Sequence, residues 1–271
     1  MFVGWIRHET LQQDIEKLST TMGLDTNLVL NTIKEDASLA FGAYANNELV
    51  GLICAISFEN SILINNLYYT QENSEELITR LFKILLQNIN QPTKTILFMA
   101  NTIEHKLLEP LGFKKYANFV KAVNSTNTVA FNFSNATSKS ISTENYLPTI
   151  KKLDFQTFKE DRLHYITHIV GKQSSLLLST KFGYQHSYAL SKTTIKLSPW
   201  IMAGGAFTDA EKLIRGVIYH RGLKTILAII PSDIKEITDL YTSYGFELKE
   251  KYTLLYLNEE PKLHTESIYG F

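Results

Sequence analysis

The sequence lacks the features that mark several large classes of protein. It has one cysteine, Cys54, in the apolar stretch LVGLICAISF, so no disulfide can form within the chain. Its 27 basic and 27 acidic residues cancel, and no basic run would attract nucleic acid or an anionic membrane. No apolar run approaches a membrane span, and the first residues turn polar too soon for a signal peptide. These absences favour a soluble, cytoplasmic protein without nucleic-acid or membrane partners.

What the chain does have is one unit written twice. Residues 94–116 read KTILFMANTIEHKLLEPLGFKKY, and residues 224–251 read KTILAIIPSDIKEITDLYTSYGFELKEK. Each begins with an apolar run typical of a buried strand and continues with apolar side chains at helical spacing. Each then has a glycine, which can take the positive φ that ends a helix, before a further strand. Two similar domains are predicted.

The flanking patterns agree with two domains. The first half predicts a strand at 2–8, helices at 9–22 and 25–34, and three antiparallel strands joined by short turns. The second half predicts a strand at 148–153, a helix at 155–169, three strands ending near 202 and a helix at 208–221. A polar stretch, SNATSKSISTENYLP, separates the halves. We expect an N-terminal domain at 1–134, a linker at 135–147 and a C-terminal domain at 148–271.

The order of these elements, together with Asn101 after its strand and the stretch LLEPLGFKKY, resembles the GNAT superfamily of acyl-CoA N-acyltransferases. The second half resembles a narrower group, the C-terminal domain of bacterial YitH-like tandem proteins, in DFQTFKEDR, FGYQHSYALSK, PWIMA, DAEKLI, YGF and SIYGF. The resemblance implies an α/β (α+β) fold of two tandem GNAT-like domains. Each would be a mixed, mostly antiparallel twisted sheet flanked by helices, with a V-shaped splay between its fourth and fifth strands.

In that family, the loop after the fourth strand carries spaced glycines, whose backbone N–H groups hold the diphosphate of acetyl-CoA. The first half has no glycine there, and its loop carries Glu72, Glu75 and Glu76, which repel a diphosphate. The position four residues before Gly112, where the family often has a tyrosine, is Leu108. The N-terminal domain is therefore predicted to keep the fold and to have lost this cofactor site.

The second half retains more of the pattern. Gly204, Gly205 and Ala206 lie between strand and helix, and Thr208 with Glu211 predicts a capping box. A Gly-Gly turn before a capped helix would explain the same residues without any ligand. If the resemblance holds, the cofactor-binding residues are Met202, Ala203, Gly204, Gly205, Ala206, Phe207, Thr208 and Ala210.

Tyr241 lies four residues before Gly245, where many GNAT enzymes have the tyrosine that protonates the leaving thiolate. The resemblance implies Tyr241 as the catalytic acid, and a ring that packs on the sheet is the alternative. His164 and His168 have the spacing of two metal ligands, but no third ligand accompanies them, so we expect no metal. Asp161 and Arg162 form a candidate ion pair.

The leading function is an N-acyltransferase with acetyl-CoA as co-substrate, bound in the C-terminal domain. The acceptor would be a primary amine of a small molecule or peptide, and a homodimer is compatible with this reading. The alternative is a GNAT-fold protein without catalysis that binds a metabolite or a protein. Acyl transfer from charged RNA is a third option, and the neutral charge argues against it.

Overall fold

The structure is a computed structural model that describes residues 1–22, 25–70, 74–91, 93–125, 147–171 and 175–271, with side chains from 18 to 22 excluded. Glu72, the hairpin expected at 128–133 and the linker before Leu147 lie outside these ranges. No helix within the ranges is long and apolar enough to cross a membrane.

The strands agree with most of the predicted ones. They are β1 (Phe2–Trp5), β2 (Ala40–Ala45), β3 (Glu48–Ser57), β4 (Ser61–Tyr69), β5 (Thr95–Asn101), β6 (Lys114–Asn124), β7 (Leu176–Thr180), β8 (Gly183–Ala189), β9 (Thr194–Met202), β10 (Thr225–Pro231), β11 (Glu247–Leu257) and β12 (Ile268–Gly270). The α-helices are α1 (Leu11–Met22), α2 (Thr26–Glu35), α3 (Ser74–Asn88), α4 (Thr102–Leu108), α5 (Leu147–Phe158), α6 (Phe207–Arg221) and α7 (Lys235–Ser243).

The strand predicted at 148–153 is wrong, because these residues belong to α5. The buried side chains of that segment recur three and four residues apart, at Ile150, Leu153, Asp154 and Phe158. This is the spacing of one helix face. The helix predicted at 155–169 is not continuous, because α5 ends at Phe158 and Tyr165–Val170 forms a separate short π-helix.

The described residues form two compact units. Unit 1 comprises Met1–Tyr116, His168–Val170 and Thr253–Pro261, and unit 2 comprises Ala117–Thr167, Gly171–Tyr252 and Lys262–Phe271. The strand order in unit 1 is β1-β2-β3-β4-β5, followed by the end of β11. In unit 2 it is β6-β10-β9-β8-β7, and β12 pairs with β9.

A β-bulge lies in the corresponding strand of each unit. In unit 1, Asn66 pairs with Cys54 and Ile64 with Ala55, so Asn65 is an extra residue in β4. In unit 2, Ser198 and Pro199 together oppose His186 of β8. An extra residue bends its strand and increases the local twist.

The parallel ladders end beside these bulges. β4 and β5 pair from Ser61 with Thr95 only as far as Ile64 with Phe98. β9 and β10 pair only as far as Lys196 with Leu227. Beyond these points the two strands of each pair separate, which confirms the predicted splay in both units.

Each unit has its own apolar core. In unit 1 one face of α3 is buried on the sheet, and Phe82 makes edge-to-face contacts with Phe98 and Phe113 at centroid distances of 5.1 and 5.7 Å. In unit 2 the buried face of α6 packs with Trp200 and Tyr241, whose ring centroids are 5.6 Å apart. The sheets are therefore covered by helices, as predicted.

A buried ion pair holds α5 in unit 2. The guanidinium of Arg162 donates two bonds of 3.0 Å to the carboxylate of Asp154, and the Tyr184 hydroxyl donates a third of 2.7 Å. Arg162 also stacks on the Phe158 ring. The pair suggested by the sequence, Asp161 with Arg162, is therefore wrong. Asp161 instead pairs with Lys151 on the surface.

We predict that Arg162→Met destabilises the protein by about 3–5 kcal/mol, because the buried carboxylate of Asp154 loses its cation. The matched control is Lys151→Met, which breaks an exposed pair and should cost at most about 1 kcal/mol. Urea unfolding of both variants measures the difference. Equal midpoints for the two variants would contradict this role of Arg162.

Candidate functional site

The splay in unit 1 leaves a cleft, which we call the β4–β5 cleft, between residues 65–69 of β4 and residues 99–101 of β5. No strand within the described ranges pairs with either edge of the cleft beyond Ile64 and Phe98. Asn65 at the bulge is anchored to α2, because its side-chain amide donates a 2.7 Å bond to the Thr32 hydroxyl. This half-buried contact between the bulge and α2 stabilises the position of the splay.

On the edge of β4 that faces this cleft, the backbone groups have no strand partner among the residues that the structure describes. The N–H of Thr70 donates to the Val50 carbonyl of the neighbouring strand β3. Backbone groups alternate between the two sides of a strand in an antiparallel ladder. Those of Leu67 and Tyr69 therefore point away from β3 and into the cleft, where an extended ligand could pair with them.

Three polar side chains meet at the mouth of the β4–β5 cleft. The Tyr69 hydroxyl donates a 3.1 Å bond to Glu104 Oε1, and it accepts a 3.3 Å bond from Asn101 Nδ2. Glu104 Oε2 accepts a 2.8 Å bond from the backbone N–H of Asn101. β4, β5 and α4 each contribute one residue to this cluster.

Local sequence explains how Glu104 is placed. Asn101 is the N-cap of α4, and its side chain accepts from the N–H groups of Ile103 and Glu104. Glu104 at the third helical position returns the bond, which completes a capping box. The carboxylate is therefore turned back towards the end of β5, beside Tyr69.

The environment of Glu104 raises the pKa of its carboxyl group. Its residue is 7% exposed, and burial raises the pKa of the carboxyl, although the bonds from Asn101 and Tyr69 oppose the rise. Burial also raises the pKa of the Tyr69 hydroxyl. No lysine, arginine or histidine among the described residues forms an ion pair with Glu104 by distance.

Beyond the cluster, the start of α3 remains acidic. Glu75 and Glu76 are exposed, and Glu76 pairs with Arg80 at 3.2 Å. The acids at the start of α3 fit a helix N-terminus well, but they oppose a diphosphate there.

Unit 2 has a corresponding cleft between residues 199–202 of β9 and the end of β10, and this β9–β10 cleft is filled. β12 pairs antiparallel with β9, with Ile268 opposite Ile201 and Gly270 opposite Trp200. The N–H of Phe271 donates a 2.9 Å bond to the Ile229 carbonyl of β10. β12 therefore occupies the space between β9 and β10 next to Met202, one of the cofactor-binding residues that the resemblance implied.

Tyr241 supports this filling strand. Its side chain is fully buried, and its hydroxyl donates a 2.6 Å bond to the backbone carbonyl of Tyr269 in β12. Burial raises the pKa of Tyr241 well above its ordinary value. The hydroxyl is thus committed to the chain itself. These contacts favour the packing alternative for Tyr241, and its catalytic role stays a prediction.

The glycine loop of unit 2 keeps some of the predicted features. Gly204 and Gly205 are exposed, and Gly205 has a φ of +74°, which a side chain would strain. Within the described ranges the N–H groups of Gly204, Gly205, Phe207 and Thr208 donate to no backbone carbonyl. The assignment of this loop to the diphosphate stays a prediction.

The capping box expected after that loop is wrong. Ala206 is the N-cap of α6, and no side chain caps the helix. Glu211 instead bonds Arg215 and the Tyr244 hydroxyl, at 3.2 and 2.8 Å. Of the other predicted cofactor residues, Met202 and Ala210 are buried, and the N–H of Ala203 donates to the Phe182 carbonyl.

The histidine pair of the sequence does not form a metal site. His164 is the N-cap of the π-helix Tyr165–Val170, and His168 lies in its last turn. Over the described ranges, no group of three or more histidine, cysteine, aspartate or glutamate side chains could hold a metal ion.

Comparison with known proteins supports the fold. No family model and no curated protein matches the sequence. Among solved structures, a candidate acetyltransferase of Pyrococcus horikoshii is 15% identical, with a TM-score of 0.79 over 100% of this chain and 93% of its own. A GCN5-related N-acetyltransferase of Sphaerobacter thermophilus is 11% identical, with a TM-score of 0.62 over 98% of each chain.

A tandem GNAT protein from the clavulanic acid biosynthesis pathway, solved without acetyl-CoA, is also similar. It is 10% identical, with a TM-score of 0.62 over 94% of this chain and 98% of its own. The predicted tandem GNAT fold is confirmed. At this identity the likeness carries the fold alone, and the narrower YitH-like resemblance stays a prediction.

We predict that Tyr241→Phe lowers the free energy of unfolding by about 1–3 kcal/mol, because the buried Tyr269 carbonyl loses its donor. The control is Tyr252→Phe, which removes an exposed hydroxyl and should change stability by less than about 0.5 kcal/mol. Urea unfolding provides the measurement. A Tyr241→Phe variant as stable as the control would contradict this structural role of the hydroxyl.

Proposed function

We propose that the protein is an N-acyltransferase that takes an acyl group from acyl-CoA and transfers it to a primary amine. The donor's pantetheine arm would lie in the β4–β5 cleft of unit 1. The observation that carries this proposal is the open edge of β4 at a splay of the GNAT type, with Tyr69, Asn101 and Glu104 at its mouth.

The arm of acyl-CoA suits that edge. It is an extended chain with two amide groups, and an extended amide chain pairs with a free strand edge as another strand does. Leu67 and Tyr69 would hold it through their backbone groups, and the side-chain amide of Asn101 lies beside them. When bound, the donor supplies an acyl carbon that is activated by its sulfur.

The features that acyl-CoA binding requires are divided between the two units. Unit 2 has the glycine loop, but β12 fills its cleft with the buried side chains of Ile268 and Tyr269. Unit 1 has the open cleft, but Glu75 and Glu76 stand where a diphosphate would approach. We therefore propose that the pantetheine arm binds in unit 1, whereas the sequence had favoured the C-terminal half. The arm contributes most of the affinity on this account, and the diphosphate contributes little.

The test is calorimetry of acetyl-CoA against the full chain and three variants. Leu67→Pro removes one N–H that points into the cleft and spares the ladder to β3, since proline is tolerated where its nitrogen faces no strand. Leu67→Ala removes the side chain but keeps that N–H. We expect acetyl-CoA to bind Leu67→Pro about tenfold more weakly than Leu67→Ala, the effect of one lost hydrogen bond.

Gly204→Val is the matched variant in unit 2. An added Cβ at Gly204 meets no atom within 4 Å, and its φ is not in the positive range that strains Gly205. We expect Gly204→Val to bind acetyl-CoA as the natural chain does. Loss of binding in Gly204→Val alone would return the donor to unit 2. No binding to the natural chain would favour the non-catalytic alternative.

A further inference from the structure

Acyl transfer to an amine needs a group that takes a proton from the ammonium, because only the neutral amine has a lone pair for attack. The sequence alone offered no candidate. In the β4–β5 cleft one buried carboxylate, Glu104, lies behind one half-buried hydroxyl, that of Tyr69, at 3.1 Å. This pair is a further feature of the site.

The hydroxyl of Tyr69 can reach a ligand, while the carboxylate cannot. A tyrosine hydroxyl has one proton to donate and lone pairs with which to accept. Tyr69 donates to Glu104 and accepts a bond from Asn101 Nδ2. A ligand N–H can therefore still donate to the same oxygen. Glu104 is 7% exposed as a residue, and its carboxylate contacts the cleft through this tyrosine.

We propose that Tyr69 and Glu104 form the proton relay for the acceptor amine, Tyr69 as the catalytic residue and Glu104 as the positioning residue behind it. This inference rests on the proposed function. The ammonium passes a proton to the Tyr69 oxygen as Tyr69 passes its own to Glu104 Oε1. The nitrogen–carbon bond then forms as the carbon–sulfur bond breaks. The sulfur keeps the bonding electron pair and takes the second proton from nitrogen, and Glu104 releases its proton to water.

The environment of the carboxylate suits this task. Burial raises the pKa of Glu104 above its ordinary value, so it is a stronger base than an exposed glutamate. Among the described residues, the titratable group that contacts this carboxylate is Tyr69, on β4. The groups that α4 and β5 add are the N–H of Asn101 and its side-chain amide, which do not titrate.

A purely structural role is the competing explanation, because Glu104 completes the capping box of α4. Glutamine serves equally well at this position of a capping box. Glu104→Gln therefore keeps the helix cap and removes only the ability to take a proton. Tyr69→Phe keeps the ring and the backbone that faces the cleft. Tyr68→Phe, one residue earlier on the opposite face of β4, is the matched control for a lost hydroxyl.

The experiment measures release of the CoA thiol from acetyl-CoA with n-butylamine as the probe acceptor, at several pH values, with the full chain. The one cysteine, Cys54, is buried and does not compete for a thiol reagent. We expect Tyr69→Phe and Glu104→Gln to lower kcat/KM for the amine by about 10²–10⁴-fold, as for a lost positioned base. Tyr68→Phe should keep the natural rate, and the Kd of acetyl-CoA should stay within about twofold in all three variants.

The pH profile separates the relay from a structural effect. The natural chain should gain rate as pH rises through the pKa of Glu104, and this limb should be absent in Glu104→Gln. Rates within threefold of the natural chain in both variants would overturn the relay. If acetyl-CoA binds but the CoA thiol is released at the same rate with and without amine, the relay is overturned as well, whereas the proposed donor site is not. Failure of acetyl-CoA to bind would instead refute the proposed function.

Discussion

A strand that separates from its neighbour exposes a row of backbone N–H and C=O groups, and these groups must find partners. This constraint governs both units. Bulges at Asn65 and at Ser198–Pro199 end the parallel ladders and create the exposed edges. In unit 2 the chain satisfies the edge itself, through β12 and the bond from Tyr241 to Tyr269. In unit 1 no described strand does so, and the edge is available to a ligand.

The two copies of the repeat have therefore diverged in complementary ways. The C-terminal copy keeps a loop in which the N–H groups of Gly204 and Gly205 donate to no backbone carbonyl of the described residues, but β12 fills its cleft. The N-terminal copy keeps an open cleft and has lost the glycines. The diphosphate loop alone favours the C-terminal copy as the acyl-CoA site. The space required by the thioester arm favours the N-terminal copy, because displacing a buried strand that a core tyrosine stabilises costs free energy.

Much of the fold was predictable from the sequence, because strong periodicity and turn glycines are local signals. The repeat, the splay and most strands are confirmed, whereas the strand at 148–153 is a helix because its buried spacing is helical. The candidate site depends more on tertiary contacts, which local sequence patterns do not show. Tyr241 has the expected spacing, but its partner is 28 residues away in a terminal strand, which no local pattern reveals. Glu104 could have been found from the Asn101-x-x-Glu104 capping pattern, although its contact with Tyr69 depends on tertiary structure.

The central claim is that acyl-CoA enters the β4–β5 cleft and that β12 stays in place. Hydrogen exchange of backbone amides, with and without acetyl-CoA, tests it most directly, since pairing with a ligand protects an amide from exchange. The account predicts new protection at Leu67 and Tyr69 and unchanged exchange at residues 268–271. Faster exchange at residues 268–271, with new protection at residues 200–206, would contradict it.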